Sequence, residues 1–302
     1  MVAVDYRAEV AKQISELPPF SPVLNKLVAT LANDNVSYVE IGKLIEQDTV
    51  LAGNVLRMVN SAAYNLRSTV TSISYGVSIL GVDKLRNMAL AISVSRMWNS
   101  MKPAPGWSAA RFNTHSLATA LLADALALNL RVTYPEGAFL AGLMHDLGKL
   151  VIATGLPREY GEIERRHLAG LPWAEAEREV LGMDHASISA MALEQWKMPE
   201  PICRAARMHH MPELATSEGI PLSRAIHVAS GAAELLGHGV REKVADPAPA
   251  AASEGAGEEA AAAMEAARHS AAAATIEELG AGKGKKVLDS FGPEFEAIRA
   301  AW

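Results

Sequence analysis

The stretch Ala138-Phe-Leu-Ala-Gly-Leu-Met-His145-Asp146-Leu-Gly148-Lys149-Leu-Val-Ile-Ala153 decides how this chain is read. On a helical wheel it is apolar on nearly every side, which predicts a buried core helix. Yet His145, Asp146 and Lys149 stand in its middle. An ionised Asp in such a helix must be paired, hydrogen-bonded or bound to a metal, because burying a bare charge is costly. Adjacent His and Asp leave a helix about 100° apart, close enough to converge on one ion at its surface. Lys149 follows His145 by one helical turn and so falls on the same face. A core helix whose polar residues make ordinary hydrogen bonds fits the same pattern, since a His-Asp pair alone is a weak motif.

Composition frames that helix. The 302 residues are enough for two domains of ordinary size. Half are hydrophobic and 21% are charged, the balance of a soluble globular protein with a large core. Only 5% are aromatic, so the core must rest on Leu, Ile, Val, Met and Ala. A net charge of −6 argues against nucleic-acid binding by bulk charge, though not against a local basic patch. Cys203 is the one cysteine, which rules out an intramolecular disulfide and points to a reducing compartment. The N-terminus carries no apolar signal region and no run of 18 apolar residues occurs, so a cytoplasmic protein without a membrane span is expected.

Outward from the central helix, the first 105 residues read as short helices. Arg7–Leu17 stops at Pro18-Pro19, and Ser21-Pro22 starts a second helix with proline in its first turn. Asn33-Asp34-Asn35 is a turn, Ser37 with Glu40 forms a capping-box pattern, and Gln47-Asp48-Thr49 marks another break. Ile73 to Leu80, Gly81, then Val82 to Met97 has the outline of a helix-turn-helix. Its second helix is dominated by Leu85, Met88, Ala89, Leu90 and Ile92, residues suited to packing, so DNA binding is disfavoured. Lys102-Pro-Ala-Pro-Gly106 is the best boundary in this half. Residues 1–105 thus form one helical unit, 106–240 a second, and 241–302 an Ala-rich tail.

In the second unit Ser108 caps a long helix that carries His115 on its apolar side. The polar helix Glu159–His167 places His167 toward solvent. Trp173 opens a helix whose Glu175, Glu177 and Glu179 suit the positive end of the helix dipole. Asp184 caps a helix that opens with His185, and another ends in His209-His210. In the tail, an Ala-rich helix is expected from about Glu258 to Leu279, then a flexible basic stretch, Gly280 to Lys286. A small terminal helix with Leu288, Phe291, Phe295, Ile298 and Trp302 is expected to dock back. No segment reads as a strand, so the fold class is all-α.

His115, His145, Asp146, His185, His209 and His210 all fall in the second unit. Imidazole and carboxylate suit iron, manganese, zinc or nickel, and these residues are enough for one ion or for two bridged by Asp146. Two ions about 3.5–4 Å apart activate a water and clamp a phosphoryl oxygen, and Lys149 is placed to steady a phosphate. The alternative is a set of histidines bonded to backbone carbonyls, with His209-His210 simply ending a helix.

His115-Ser116 followed by His145-Asp146-Leu-Gly-Lys149 resembles the HD superfamily of metal-dependent phosphohydrolases. The chain is more closely similar to the HDOD proteins, the HD-related output domain of bacterial signalling. That resemblance runs through Leu17-Pro-Pro-Phe20, Ile45 to Leu51, Leu56 to Tyr64, Thr71 to Gly81, Leu85 to Leu90, Phe112 to Ser116, His185 to Trp196, Met198 to Ile202 and Met208-His-His210. It implies an N-terminal helical bundle packed on an HD-type helical bundle, and a role in signal transduction. By position, His115, His145 and Asp146 match a first metal set, and His185, His209 and His210 match the additional histidines of the two-metal HD-GYP relatives. Two departures stand out. Ile226-His227-Val-Ala-Ser230 has Ser where the family pattern offers Asp, and Met211-Pro-Glu-Leu214 replaces a Gly-Tyr-Pro stretch. The first weakens a metal set and the second argues against cyclic di-GMP hydrolysis.

The reading favoured is a signalling protein with a partial metal site that binds a ligand or a protein partner. A metal-dependent phosphohydrolase acting on a nucleotide or phosphodiester comes second, with Asp146 and Lys149 as its candidate catalytic residues. A DNA-binding regulator comes third.

Overall fold

Side-chain caps set where the helices begin. The computed structural model describes residues 6–32, 37–61, 64, 66–240, 254–280 and 282–299. The Asn33-Asp34-Asn35 turn, Ala62-Ala63 and Trp302 lie outside the described residues. After α1 (Tyr6–Ser15), α2 (Pro22–Ala29) starts at Ser21, whose Oγ accepts from Leu24 N. Ser37 does the same for Glu40 N at the head of α3 (Tyr38–Glu46). Asp48 accepts from Val50 N and Leu51 N to open α4 (Thr49–Val59). Each such cap satisfies amide donors that have no partner within the helix.

Between α5 (Ile73–Leu80) and α6 (Val82–Asn99) stands Gly81, with φ +88°, a conformation that favours glycine. The helix-turn-helix outline is therefore present. However, Leu85, Met88, Leu90 and Trp98 of α6 are buried, and Arg86 is paired with Asp83. This helix is spent on the core and presents no row of free cations to a groove.

α7 (Ala109–Asn129), capped by Ser108, is the axis of the second half. Along it lies the stretch expected to form one continuous helix. It forms two: α8 (Ala138–Met144) and α9 (Leu147–Gly155), with His145 and Asp146 at the break. Asp146 sits at φ −99°, ψ 10°, and the amide of Lys149 turns back to its carbonyl at 2.9 Å, a bond one residue shorter than the α-helical one. The apolar wheel gave no sign of this break, because nearly every residue of both pieces is buried and the polar residues, not the apolar ones, mark it.

The remaining helices wrap this pair. They are α10 (Pro157–Leu168), α11 (Trp173–Leu181), α12 (His185–Gln195), α13 (Glu200–Met208) and α14 (Leu222–Leu235). α8 and α14 both pack on α7, and α12 packs on α9 and α13. The approach of α9 to α12 is close enough to require glycine: a Cβ on Gly148 would lie 2.1 Å from the His185 carbonyl oxygen. The Gly148 amide donates to Ser189 Oγ at 2.7 Å across the same contact.

In the tail, α15 (Glu254–Glu277) packs on α14, and α16 (Gly284–Arg299) packs on α7. Phe291, Phe295 and Ile298 are buried. Gly284 to Lys286, expected to be a flexible stretch, belong to α16, and Glu277 accepts the Gly284 amide at 2.7 Å. Among the described residues no strand forms; one isolated bridge joins Val132 and Ile220. No single described helix is long and apolar enough to cross a membrane.

Candidate metal centre

The break in the central helix turns Asp146 inward between helix ends. α7 brings His115, the break brings His145 and Asp146, the first residue of α12 brings His185, and the end of α13 brings His209 and His210. All six residues singled out in the sequence therefore meet at one place. His185 Nε2 and His209 Nε2 lie 3.2 and 3.7 Å from Asp146 Oδ1. His145 Nε2 and His115 Nε2 lie 3.5 and 3.6 Å from Oδ2. His210 Nε2 lies 2.7 Å from His185 Nε2. The ligand atoms of Asp146, His185, His209 and His210 are within 4.8 Å of one another, as are those of His115, His145 and Asp146.

The far side of each ring explains its orientation. His115 Nδ1 donates to the His238 carbonyl at 2.9 Å, His145 Nδ1 to that of Gly142 at 2.7 Å, and His209 Nδ1 to that of Ala206 at 2.7 Å. A proton fixed on Nδ1 leaves the lone pair on Nε2, which faces Asp146. The carbonyl bonds foreseen as a structural alternative thus exist, and they aim the rings rather than merely satisfy them. His185 Nδ1 pairs instead with the buried Glu177 carboxylate at 2.5 Å, and the same carboxylate accepts the His185 amide at 2.7 Å. Glu177 escaped the sequence reading, where it counted as a helix-dipole residue. The available signal was an acidic residue one turn after Trp173 whose indole it accepts, on the buried side of α11. His167 is half-buried rather than solvent-facing and bonds to the Leu171 carbonyl.

Lys149 and His145 both reach Oδ2 of Asp146, as their spacing of one helical turn suggests. The Lys149 ammonium contacts that oxygen at 2.6 Å. Burial opposes the charges of both partners, yet Asp146 raises the Lys149 pKa, while His145 and Lys149 hold the Asp146 carboxyl well below the usual carboxylate range. Burial pushes His145 down to about 3, His210 down to about 2 and His209 well below an ordinary histidine, so these rings are neutral lone-pair donors at neutral pH. His185 is the exception: burial opposes its charge, but the Glu177 carboxylate outweighs that and raises it to about 9.

Whether the residues fit a metal is answered by the atoms left over. His145 Nε2, His209 Nε2 and Asp146 Oδ1 are buried and have no hydrogen-bond partner. Buried polar atoms are nearly always paired, so these orphans on the two sides of one carboxylate mark a place for a cation. Imidazole with one carboxylate fits zinc, iron, manganese or nickel better than the all-oxygen preference of calcium or magnesium. Such an ion, when bound, would act as a Lewis acid and lower the pKa of a coordinated water. Ser230 places Oγ 3.3 Å from His115 Nε2.

The chain is thus an all-helical bundle with a buried His/Asp cluster at a helix break. The HDOD domain family model matches residues 17–212, and the chain belongs to that family. Solved structures agree on the fold. An HDOD domain protein of unknown function from Geobacter sulfurreducens superposes with a TM-score of 0.73 at 21% identity, covering 100% of this chain and 98% of that one. A candidate phosphohydrolase from Shewanella amazonensis SB2B gives 0.71 at 22% identity, over 97% and 98% of the two chains. A candidate signal transduction protein from Marinobacter aquaeolei VT8 gives 0.64 at 21%, over 96% and 65%. In sequence, an uncharacterised protein of Treponema pallidum (strain Nichols) is 25% identical over 237 residues, which is 74% of this chain but 43% of that protein. The chain thus matches less than half the length of that relative.

Proposed function

We propose that the chain is a signal-transduction module whose helical bundle holds a divalent transition metal at Asp146 and the surrounding histidines, and whose output is the binding of a ligand or protein partner. The observation that carries this reading is the approach of His209 Nε2 to Asp146 Oδ1 at 3.7 Å, both buried and without hydrogen-bond partners. Family membership and the signalling description of the Marinobacter aquaeolei neighbour support the regulatory role. The neutral Ser230, in place of a carboxylate, favours binding over turnover, since one anionic ligand fewer leaves a bound metal less firmly held.

The test is elemental analysis of the chain purified without chelator or affinity tag, beside an Asp146→Ala control. A transition metal in the first and none in the second is the expected result. A folded protein that contains none and takes up no added iron, manganese or zinc would overturn the reading.

A second reading, a metal-dependent phosphohydrolase, is favoured by one feature. A cleft of about 830 Å³ opens onto His210, the exposed member of the cluster, and is bordered by Arg178 and Arg207. That volume suits a nucleotide-sized ligand. Both arginines are already paired, with Asp184 and Glu194, so an anionic ligand would have to compete for them. Turnover of a generic phosphodiester that disappears in Asp146→Ala would replace the first reading with this one.

A further inference from the structure

The two oxygens of Asp146 face different surroundings, and we infer that they serve different cations. One metal sits on the Oδ1 side, held by Asp146, His185, His209 and His210, while the Lys149 ammonium takes the place of a second metal on the Oδ2 side. The inference rests on the metal reading above and adds the count, the ligand set and the role of Lys149.

The Oδ1 side has what a cation needs. His209 Nε2 is buried without a partner, and the neighbour of Asp146 Oδ1 is the His185 ring, whose Nε2 stands 3.2 Å away and can exchange its proton for a metal where an ammonium cannot. With His210 this makes four donors, one of them anionic, all within 4.8 Å of one another. Four nitrogen and oxygen ligands complete the coordination of an ion such as zinc. His185 is also backed by Glu177, the arrangement that orients a ligating imidazole and raises its basicity.

The Oδ2 side differs in each respect. Its oxygen already has a cationic partner, the Lys149 ammonium at 2.6 Å. Around it are two neutral imidazoles, His115 and His145, and the Ser230 hydroxyl 3.3 Å from His115. A metal there would share Oδ2 with an ammonium and would meet no second carboxylate, so like charges would oppose it. The unpartnered Nε2 of His145 faces this side, 3.5 Å from Oδ2. Lys149 is three residues past Asp146, the spacing at which two side chains meet on one helix face, and its ammonium reaches that oxygen.

The experiment is a cobalt(II) titration of the full chain, followed by visible absorption and checked by elemental count. The wild type should saturate at one equivalent. His185→Ala should weaken binding by about tenfold or more, while His145→Ala stays within about threefold. Lys149→Met combined with Ser230→Asp should saturate at two equivalents, since it removes the competing cation and adds the missing carboxylate. Two equivalents in the wild type would overturn the inference and leave the metal reading standing. So would His145→Ala losing as much as His185→Ala, a comparison that holds even if the double variant does not fold. A folded double variant that stops at one equivalent would overturn the role given to Lys149. No binding by the wild type would overturn the metal reading itself, and this inference with it.

Discussion

Replacing Glu177 by glutamine should change how metal binding depends on pH. Glu177 is fully buried, and its carboxylate accepts both the amide and Nδ1 of His185. Burial disfavours a charged ring, but this carboxylate lifts the metal-free His185 to about 9. A metal needs the Nε2 lone pair, so binding below that pH must expel a proton. At pH 7 the gap is about two units, a cost of about 3 kcal/mol in the wild type. The logarithm of the association constant should therefore rise by about one for each pH unit from 7 to 8.5. Glutamine keeps the shape and one acceptor but not the charge, so the ring reverts toward neutrality and the dependence should flatten above about pH 6.5. At pH 8.5, where little proton competition remains, loss of the carboxylate should cost about 10–100-fold in affinity, or about 1.4–2.8 kcal/mol. The assay is a cobalt(II) titration against a competing chelator at several pH values. A wild-type affinity that does not change between pH 7 and 8.5, or a variant that binds as tightly as the wild type at pH 8.5, would refute the reasoning.

The metal-free protein should be most stable near pH 6.5. His145 at about 3 and His238 at about 4, both lowered chiefly by burial, take up protons more readily when unfolded, so stability falls as the pH drops below 6.5. His185, raised to about 9, holds its proton more firmly when folded, so its contribution is lost as the pH rises from 6.5 through 9. Urea midpoints measured in chelator at pH 5, 6.5 and 8.5 should show a maximum, and a steady rise to pH 8.5 would contradict this. Gly148→Ala should destabilise by about 1–3 kcal/mol or more, because the added carbon meets the rigid His185 carbonyl at 2.1 Å. A change under about 0.5 kcal/mol in chemical unfolding would show that α9 and α12 can separate at little cost. Phe295→Ala, which empties a buried site on α16, should cost about 3–5 kcal/mol if that helix unfolds with the rest. A separate early transition in the unfolding curve would instead mark the tail as an independent unit.

Much of this was legible in the chain because capping is local. Ser21, Ser37, Asp48, Ser108 and Asp184 each accept amides of the helix they precede, as their residue types and positions suggest. The gathering of His115, His145, Asp146, His185, His209 and His210 was legible for another reason: polar residues on apolar helices need a shared purpose. The contact of Lys149 with Asp146 was legible too, since residues three apart are neighbours on a helix. Two features were hidden. The break at His145-Asp146 lies where nearly every flanking residue is buried, so periodicity has little exposed face to lose. Glu177 stood among glutamates that suit a helix N-terminus, and only the turn at Gly182, with φ +73°, brings α12 back so that His185 meets it.

The carbonyl that fixes the His115 ring belongs to His238, whose own ring lies 4.3 Å from that of Phe295 on the last helix. Similarly, the carbonyl of His209 accepts from His227 Nδ1 at 2.8 Å. Both supports, and Ser230 with them, come after residue 212, where the family match ends. The boundary that defines the family by sequence therefore cuts through the scaffolding of the cluster. A fragment trimmed to that boundary would keep all six clustered side chains but release the His115 ring from its anchor and the His209 backbone from its contact with His227. Such a fragment could report a weak or absent metal site that the intact chain possesses.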